Sequence, residues 1–517
     1  MEPYQLEKLL QPECYPEPTS AVRHLQTHIS HLFLTDQYVY KLKKPVDFGF
    51  LDFTTLERRR HFCHEELRLN RRLSPDIYLE VVALRDDGSG GLCFGGEGQL
   101  IEYAVKMRRL PEERMLDRLL AADQITAADI EAIARVVAAF HAAAATDQRI
   151  ASFGSVAVIR ANWLENLRQT LPYCGVTLSP ADHQLTGDWA LTTLDSAAAC
   201  FDERVSAGFI RECDGDLHTE NICLDGQVHI FDCIEFNEPF RYSDTAADVA
   251  FLAMDLENHG RRDLAELFVA AYCQESGDTG LLAVLSLYLV NRAFIRGKVE
   301  SFRLDDPLIP TADKQAAANR ASRFFRLARG YLLRRRLPQS LLLTCGPTGC
   351  GKSSFAAELA FQLGIAHLQA DQERKLLAGI RPTERGAAIY TADWNRATYE
   401  RLAELAAAEL AAGRSVVVDA TFRSAADRAR FGLLAAEAGV PLIICALVCP
   451  AEVVRQRLLD RQQSDDSVSD GTWPVYQRQI ATFEQPADAE GQLLAIDATK
   501  PVTAMVEQAL SGLALLP

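Results

Sequence analysis

Downstream of Ser340 the chain alternates short, almost wholly apolar runs with longer stretches of helical period. The runs are Leu341–Cys345, Val416–Asp419, Leu442–Val448 and Leu493–Ile496. Runs this short and this apolar read as strands buried on both faces. Between them lie segments such as Trp394–Ala412, which stops at Gly413. Buried strands alternating with helices predict an α/β fold with a parallel sheet covered by helices. Upstream the pattern differs. Leu32–Leu34, Tyr38–Leu42, Tyr78–Leu84 and Ile101–Met107 read as strands, interrupted by a helix over about Leu56–Leu73. From Ala127 to about Leu333 the period is mainly helical, with a strand-rich interlude at Ile222–Cys233. This α+β half predicts a sheet lobe to about residue 108 and a helical lobe after it, with a site in the cleft between them. The charged, proline-containing run Arg334–Ser340 marks the main boundary. The expected domains are therefore 1–335 and 341–517, joined by a linker at 336–340.

Composition narrows the functional class. The chain has 517 residues, 48% of them hydrophobic, enough for more than one packed core. No apolar run reaches the roughly 20 residues of a membrane span, and Met1–Pro18 is too polar and acidic for a signal peptide. The cytoplasm is the expected location. The 13 cysteines are scattered, with no C-x-x-C pair, so neither a disulfide framework nor a zinc site is expected. A net charge of -16 disfavours nucleic acid as a partner, although a local basic patch would still serve one. Oligomeric state is not legible.

The strand at Leu341–Thr344 runs into Gly346-Pro347-Thr348-Gly349-Cys350-Gly351-Lys352-Ser353, and a helix follows from about Ser354. Glycines let backbone N–H groups turn inward around phosphates, and the helix N-terminus favours negative charge. Lys352 adds a point charge for the terminal phosphates, and Ser353 supplies a hydroxyl for Mg²⁺. The expected cofactors are ATP and Mg²⁺. Asp419 ends an apolar strand, where sheet ligands gather, and is the expected partner of phosphate or Mg²⁺. Asp371, after a possible strand Ala366–Gln369, reads either as a helix N-cap or as the base for an acceptor hydroxyl, with Arg374 one turn on to bind acceptor or phosphate. Arg457 and Arg461 are four apart on one helix face, suited to closing over a transferring phosphoryl group. With Arg428, this set resembles the small P-loop kinases that include polynucleotide 5′-kinases, zeta-toxin-like kinases and chloramphenicol phosphotransferase. The resemblance implies kinase chemistry on a hydroxyl and names no substrate.

The first half carries a second constellation. In Asp214-Gly-Asp216-Leu-His218-Thr-Glu-Asn221, Asp216 and Asn221 are five apart, and Asp232 ends the next apolar run. That order matches a catalytic Asp, then Asn and Asp as metal ligands. It also matches a plain polar hairpin that turns at Asp225-Gly226. Lys41 and Lys43 point to one face of a strand, so spacing does not choose between them. Glu65 and Glu66 lie on the next helix, where a carboxylate can pair with a strand lysine. The stretch Tyr40–Phe53 and the pair Asp216/Asn221 resemble the aminoglycoside-phosphotransferase-like family of the kinase-like fold, in a bacterial branch often fused to a P-loop kinase domain. The resemblance implies that Lys41 contacts ATP phosphates and that Glu66 pairs with it. It implies Asp216 as base, and Asn221 and Asp232 on Mg²⁺. The family usually has His-Gly-Asp where this chain has Asp214-Gly-Asp216, and the extra carboxylate is expected to change the loop or the base's pKa. The one candidate phosphate loop is the Thr27–Ser30 turn. The expected function is a tandem kinase that moves the γ-phosphoryl of ATP to hydroxyl-bearing small molecules. The alternatives are an ATP-driven switch with a binding module, or one live P-loop kinase beside a degenerate lobe. His24, His28 and His31 approach helical spacing, and His61, Cys63 and His64 cluster, but neither set has a zinc spacing. Asp244 and Asp248 are expected to anchor the helical lobe.

Overall fold

The computed structural model describes residues 2–88, 91–307, 309–381, 389–462 (without the side chains of 461 and 462) and 471–515. The chain divides into two compact units, Met1–Phe325 and Arg326–Pro517.

In the first unit, six strands form an antiparallel sheet: β1 (Arg23–Gln26), β2 (Ser30–Leu34), β3 (Tyr38–Lys43), β4 (Tyr78–Asp86), β5 (Leu92–Phe94) and β6 (Gln99–Arg108). Their spatial order is β1-β2-β3-β6-β4-β5. The alternation that buries Tyr40 and Leu42 on one face of β3 turns Lys41 and Lys43 to the other. That face is covered by the helix Leu56–Asn70, whose start is capped by Thr55 accepting from Arg58 N. The helical reading of His24 and His31 is corrected: they lie on β1 and β2. There His24 stacks on Phe33 and hydrogen-bonds His31 at 3.0 Å. The Thr27–Ser30 turn joins these two four- and five-residue strands, too short for their period to be distinguished.

The helical lobe is organised around Thr245–Asn258, which is buried on nearly every side and is mostly apolar, with the buried carboxylates of Asp248 and Asp255 as its polar exceptions. Two small antiparallel pairs flank it: β7 (Ile210–Glu212) with β10 (Tyr242–Asp244), and β8 (Ile222–Leu224) with β9 (Val228–Ile230). The polar hairpin turning at Asp225-Gly226 is thus present, with Gly226 at φ +72°.

The second unit contains β11 (Leu341–Cys345), β12 (Ala366–Gln369), β13 (Val416–Asp419), β14 (Leu442–Val448) and β15 (Gln492–Asp497), all parallel, in the order β12-β13-β11-β14-β15. The chain runs from β11 to β12 and β13 on one side of it and then crosses to β14 and β15 on the other, so the carboxyl end of β11 lies at the switch point where α/β sheets bind ligands. Arg428, buried within helix Ala425–Ala438, donates to the carbonyls of Phe422 and Glu484 and pairs with Glu490 at 3.0 Å. It ties the segment after β13 to the segment before β15. Removing a buried paired cation strands its partners. Arg428→Ala is therefore expected to destabilise the second unit by about 3 kcal/mol, read as an earlier urea midpoint for that unit's transition.

The division falls inside the helix Thr311–Arg334, earlier than the expected boundary at 335. The reason is apolar patterning: Leu327 and Leu333 are fully buried, and Leu333 packs with Leu342, Phe355 and Leu359. Gly330 lies so close to Gln362 that a Cβ would meet its carbonyl oxygen at 2.2 Å. Leu337, within the expected linker, also packs against this core.

Candidate active sites

In the first unit, an ion-pair chain runs through the cleft. Lys41 Nζ contacts Glu66 Oε1 at 2.8 Å and also pairs with Asp232. Lys43 Nζ contacts Glu66 Oε2 at 2.7 Å and pairs with Glu235. Sequence spacing left the two lysines equivalent, and the structure separates them. Asp232, on Lys41, keeps 45% of its side chain exposed, whereas Lys43 is sealed at 0%. Burial opposes ionisation of Glu66, yet the two ammonium groups hold its carboxyl down to about 2. Lys41 is raised against its burial by Asp232 and Glu66. Glu65 turns away to Arg68 at 2.8 Å. Glu235 escaped the sequence reading, although it follows Asp232 by three residues in the same segment.

Asp232 sits at φ +67°, a left-handed conformation unusual for a non-glycine residue, with its N–H donating to Tyr78 OH at 3.0 Å. Asp216 and Asn221 meet: Asn221 Nδ2 donates to the carbonyl of Asp216 at 3.1 Å and to its Oδ2 at 3.3 Å. The loop carrying them is fixed at both ends from the buried helix. Asp248 accepts from Asp214 N at 2.8 Å and from Gly215 N at 3.0 Å, while Asp255 accepts from Thr219 N at 3.0 Å. These two aspartates are seven apart, on one helix face. Asp248 also meets His141 Nε2 at 3.2 Å. Asp244 is held by Arg204 at 2.6 Å. Both aspartates are therefore anchors. Burial raises the cost of charge on Asp216, but His218, Arg296 and Arg292 keep its carboxyl below the ordinary range.

Asp214 shapes the loop, its Oδ1 accepting from Asp216 N at 3.1 Å, while its Oδ2 is buried without a hydrogen-bond partner. Burial first, and then the Asp248 carboxylate, push its carboxyl up to about 8. The Asp216 carboxyl itself sits low, with His218 as the largest group lowering it. Because the folded state holds Asp214's proton above its unfolded pKa of about 3.9, stability declines as pH rises through the window up to about 8. Asp214→Asn is expected to flatten that decline, seen as a smaller loss of first-unit melting temperature between about pH 5 and pH 8.

In the second unit, Gly346, Gly349 and Gly351 have φ of +153°, +79° and +95°, which L side chains rarely adopt. A Cβ on Gly349 would also meet Val454 and Leu458 at 2.9 Å. Pro347, Thr348 and Cys350 complete the loop, and Thr348 N donates to Gln479 Oε1 at 2.7 Å. Helix Lys352–Leu363 starts at the loop, with Ser353 and Ser354 in its first turn. Lys352 Nζ folds back to the Pro347 carbonyl at 2.8 Å. Register pairs Thr344 with Asp419, and Thr344 Oγ1 donates to Asp419 Oδ1 at 3.0 Å. Burial opposes charge on Asp419, but His367, Lys352 and Ser353 hold its carboxyl below the ordinary range. His367 was not singled out in the sequence; it approaches Asp419 Oδ2 at 3.7 Å.

Asp371 is not at the N-cap position of helix Ala370–Leu377, which Gln369 occupies without a side-chain cap; Asp371 lies in the first turn. Arg374 pairs with Asp371 at 2.6 Å, meets Asn395 Oδ1 at 3.2 Å and lies over the Tyr390 ring. Arg457, on helix Ala451–Gln462, reaches the P-loop, with Nη1 3.4 Å from the Cys350 carbonyl. Arg461 belongs to the same helix, and its side chain lies outside the described residues.

The donor sets suit a nucleotide with a hard cation. Asn221 and Asp232 in one unit, and Ser353 and Asp419 in the other, offer oxygen ligands beside a lysine. A profile described as "Phosphotransferase enzyme family" matches residues 36–285, and one described as "AAA domain" matches residues 341–486. Uncharacterized proteins of Mycobacterium tuberculosis and Mycobacterium bovis are 31% identical over 451 residues, covering 86% of this chain and 87% of theirs. This chain belongs to the phosphotransferase enzyme family, with an AAA domain fused behind it. Two solved structures are similar to parts of this phosphotransferase. A gluconokinase from Sinorhizobium meliloti 1021 covers 34% of the chain and 92% of its own, at 23% identity and TM-score 0.27. A choline/ethanolamine kinase family protein from Mesorhizobium loti covers 63% and 98%, at 12% identity and TM-score 0.36. No helix among the described residues of the phosphotransferase is long and apolar enough to cross a membrane.

Proposed function

We propose that this phosphotransferase is a tandem kinase, with one ATP·Mg²⁺ site in each unit and a hydroxyl-bearing small molecule as the acceptor of each. ATP with Mg²⁺ supplies the transferable phosphoryl group and screens its charge. The observation that carries the reading is the Lys41–Glu66–Asp232 chain beside the Asp216–Asn221 pair. It supports a reading in which Lys41 is the cation, Asp216 the base, and Asn221 and Asp232 the oxygen ligands of one cleft, independently of the P-loop. In the first unit, Lys41 holds phosphate oxygens, Asn221 and Asp232 hold the metal, and Asp216 accepts the acceptor's proton. In the second unit, the loop amides and Lys352 cradle phosphates, and Ser353 and Asp419 hold the metal. Asp371 takes the acceptor's proton there; Arg374 orients Asp371, and Arg457 closes over the transferring group.

A second reading, a degenerate first unit, is favoured by one observation: the buried carboxyl of Asp214, two residues from the base. Transfer of ³²P from [γ-³²P]ATP across a metabolite extract separates the readings. Two labelled products, one lost with Asp216→Asn and the other with Lys352→Ala, support the tandem kinase. A single product, lost only with Lys352→Ala, supports the degenerate unit. Slow phosphate release without any product rejects both in favour of an ATP-driven switch.

A further inference from the structure

A second feature of the first unit is a cluster of exposed phenylalanines. Phe48 and Phe50 lie on the short loop after β3, closed by the bridge between Asp47 and Asp52 with Gly49 at its tip. Their rings are 47% and 42% exposed at residue level and stack at 6.0 Å. Phe50 also lies 6.0 Å from Phe236 and 6.2 Å from Phe240, which is itself 45% exposed. Asn237 Nδ2 donates to the Phe50 carbonyl at 3.0 Å and pins the loop against this segment. An open pocket of about 460 Å³ borders the cluster, walled by Phe50, Leu51, Phe62 and Phe236. The polar side chains in its lining are Asp52, Arg58 and His61, and the first two pair with each other.

The cluster adjoins the phosphotransfer residues. Phe236 follows Glu235, the partner of Lys43, and Phe53 places its ring 4.9 Å from Lys43 Nζ. The Phe240 carbonyl lies 3.0 Å from where a Cβ on Gly215 would stand, next to Asp216. Several exposed aromatic rings gathered in one patch signal a binding surface, and one continuous with a reactive cleft signals the substrate's. A pocket whose edge carboxylate and guanidinium are spent on each other offers no counter-charge to a polycation, and it leaves His61 as the polar side chain of the lining open to a polyol, which needs several partners. Flat apolar rings stack on such walls at their own separations of about 4.5–7 Å.

We infer that the acceptor of the first unit is an alcohol with a flat, apolar or aromatic body, seated on Phe48, Phe50, Phe236 and Phe240 with its hydroxyl toward Asp216. This rests on the first-unit kinase reading. The test uses the full chain with benzyl alcohol, 2-phenylethanol and tryptophol as probes, and glycerol and glucose as the contrasting set. Binding is read by saturation-transfer NMR and transfer by ³²P. Phe50→Ala, Phe50→Leu and Asp216→Asn are compared; Phe50 is exposed enough for truncation to leave the fold intact. The aromatic alcohols are expected to bind, with binding weakened about tenfold in Phe50→Ala and less in Phe50→Leu. Their phosphorylation is expected to vanish in Asp216→Asn. Failure of every aromatic probe to bind, or equal binding to Phe50→Ala, overturns the inference. Asp216-dependent phosphorylation of glycerol or glucose, indifferent to Phe50, overturns it while leaving the kinase reading intact. Phe50-dependent binding without Asp216-dependent transfer overturns the kinase reading, and the acceptor role with it, leaving the patch as a binding site for aromatic alcohols. A change of oligomeric state in Phe50→Ala by light scattering assigns the patch to a second copy of the chain, and also overturns it.

Discussion

Lys352→Ala is expected to lower phosphotransfer by the second unit by roughly 10²–10³-fold, with the first unit's product unchanged. Lys352 is almost fully buried in the loop, and no other cation stands in its place among the described partners of that loop except Arg457, which reaches only the Cys350 carbonyl. Loss of its charge acts twice. The phosphate cradle loses its point cation, and Asp419 loses one of the groups that keep its carboxylate ionised. Lys352→Met keeps the apolar stem and separates loss of charge from loss of packing. Both variants are expected to show the same defect in product formation and in ATP affinity by calorimetry. A Lys352→Met variant with wild-type transfer would remove the P-loop from the reaction.

Asp216→Asn is expected to remove the first unit's product by about 10²–10⁴-fold while leaving ATP binding near its wild-type value. The carboxamide keeps the side chain's shape and its contact with Asn221, so the loop held by Asp248 and Asp255 stays in place. What is lost is the proton acceptor. A second signature follows from His218. Burial disfavours its charge, and Asp216 is the main group raising its pKa. Without that carboxylate the imidazole is expected to titrate lower, visible in ¹⁵N-edited NMR spectra of the histidine side chains. A variant that transfers phosphate normally would sink the assignment of Asp216 as base.

The parallel sheet was legible because strands β11, β13 and β14 are apolar enough to be buried on both faces, whereas β15, at the sheet edge, is only partly covered and is marked by its apolar run alone. The P-loop was legible because its chemistry is local: the glycines, the lysine and the serine are consecutive. The first unit was harder. β1 and β5 are four and three residues long, below the length at which alternation has a period to read. Lys41 and Lys43 share a strand face, so only the positions of Asp232 and Glu235, far along the chain, distinguish them. Asp248 reads from sequence as an anchor of its own lobe, and so it is. What it anchors is the base loop, because Asp214 and Gly215 reach it from outside the helix.

The helix Thr311–Arg334 bears on how such a protein is assembled from parts. The matched AAA profile begins at residue 341, yet the unit that folds around it begins at Arg326. Within that unit Arg326 pairs with Glu358 at 2.7 Å, Gly330 admits the backbone of Gln362, and Leu333 fills the core beside Phe355. A recombination event that joined a foreign P-loop module at the glycine motif would leave this groove on helix Lys352–Leu363 uncovered. An exchange of partners between such fusions is therefore expected to give a stable second unit only when the last turns of that helix travel with the module they cover.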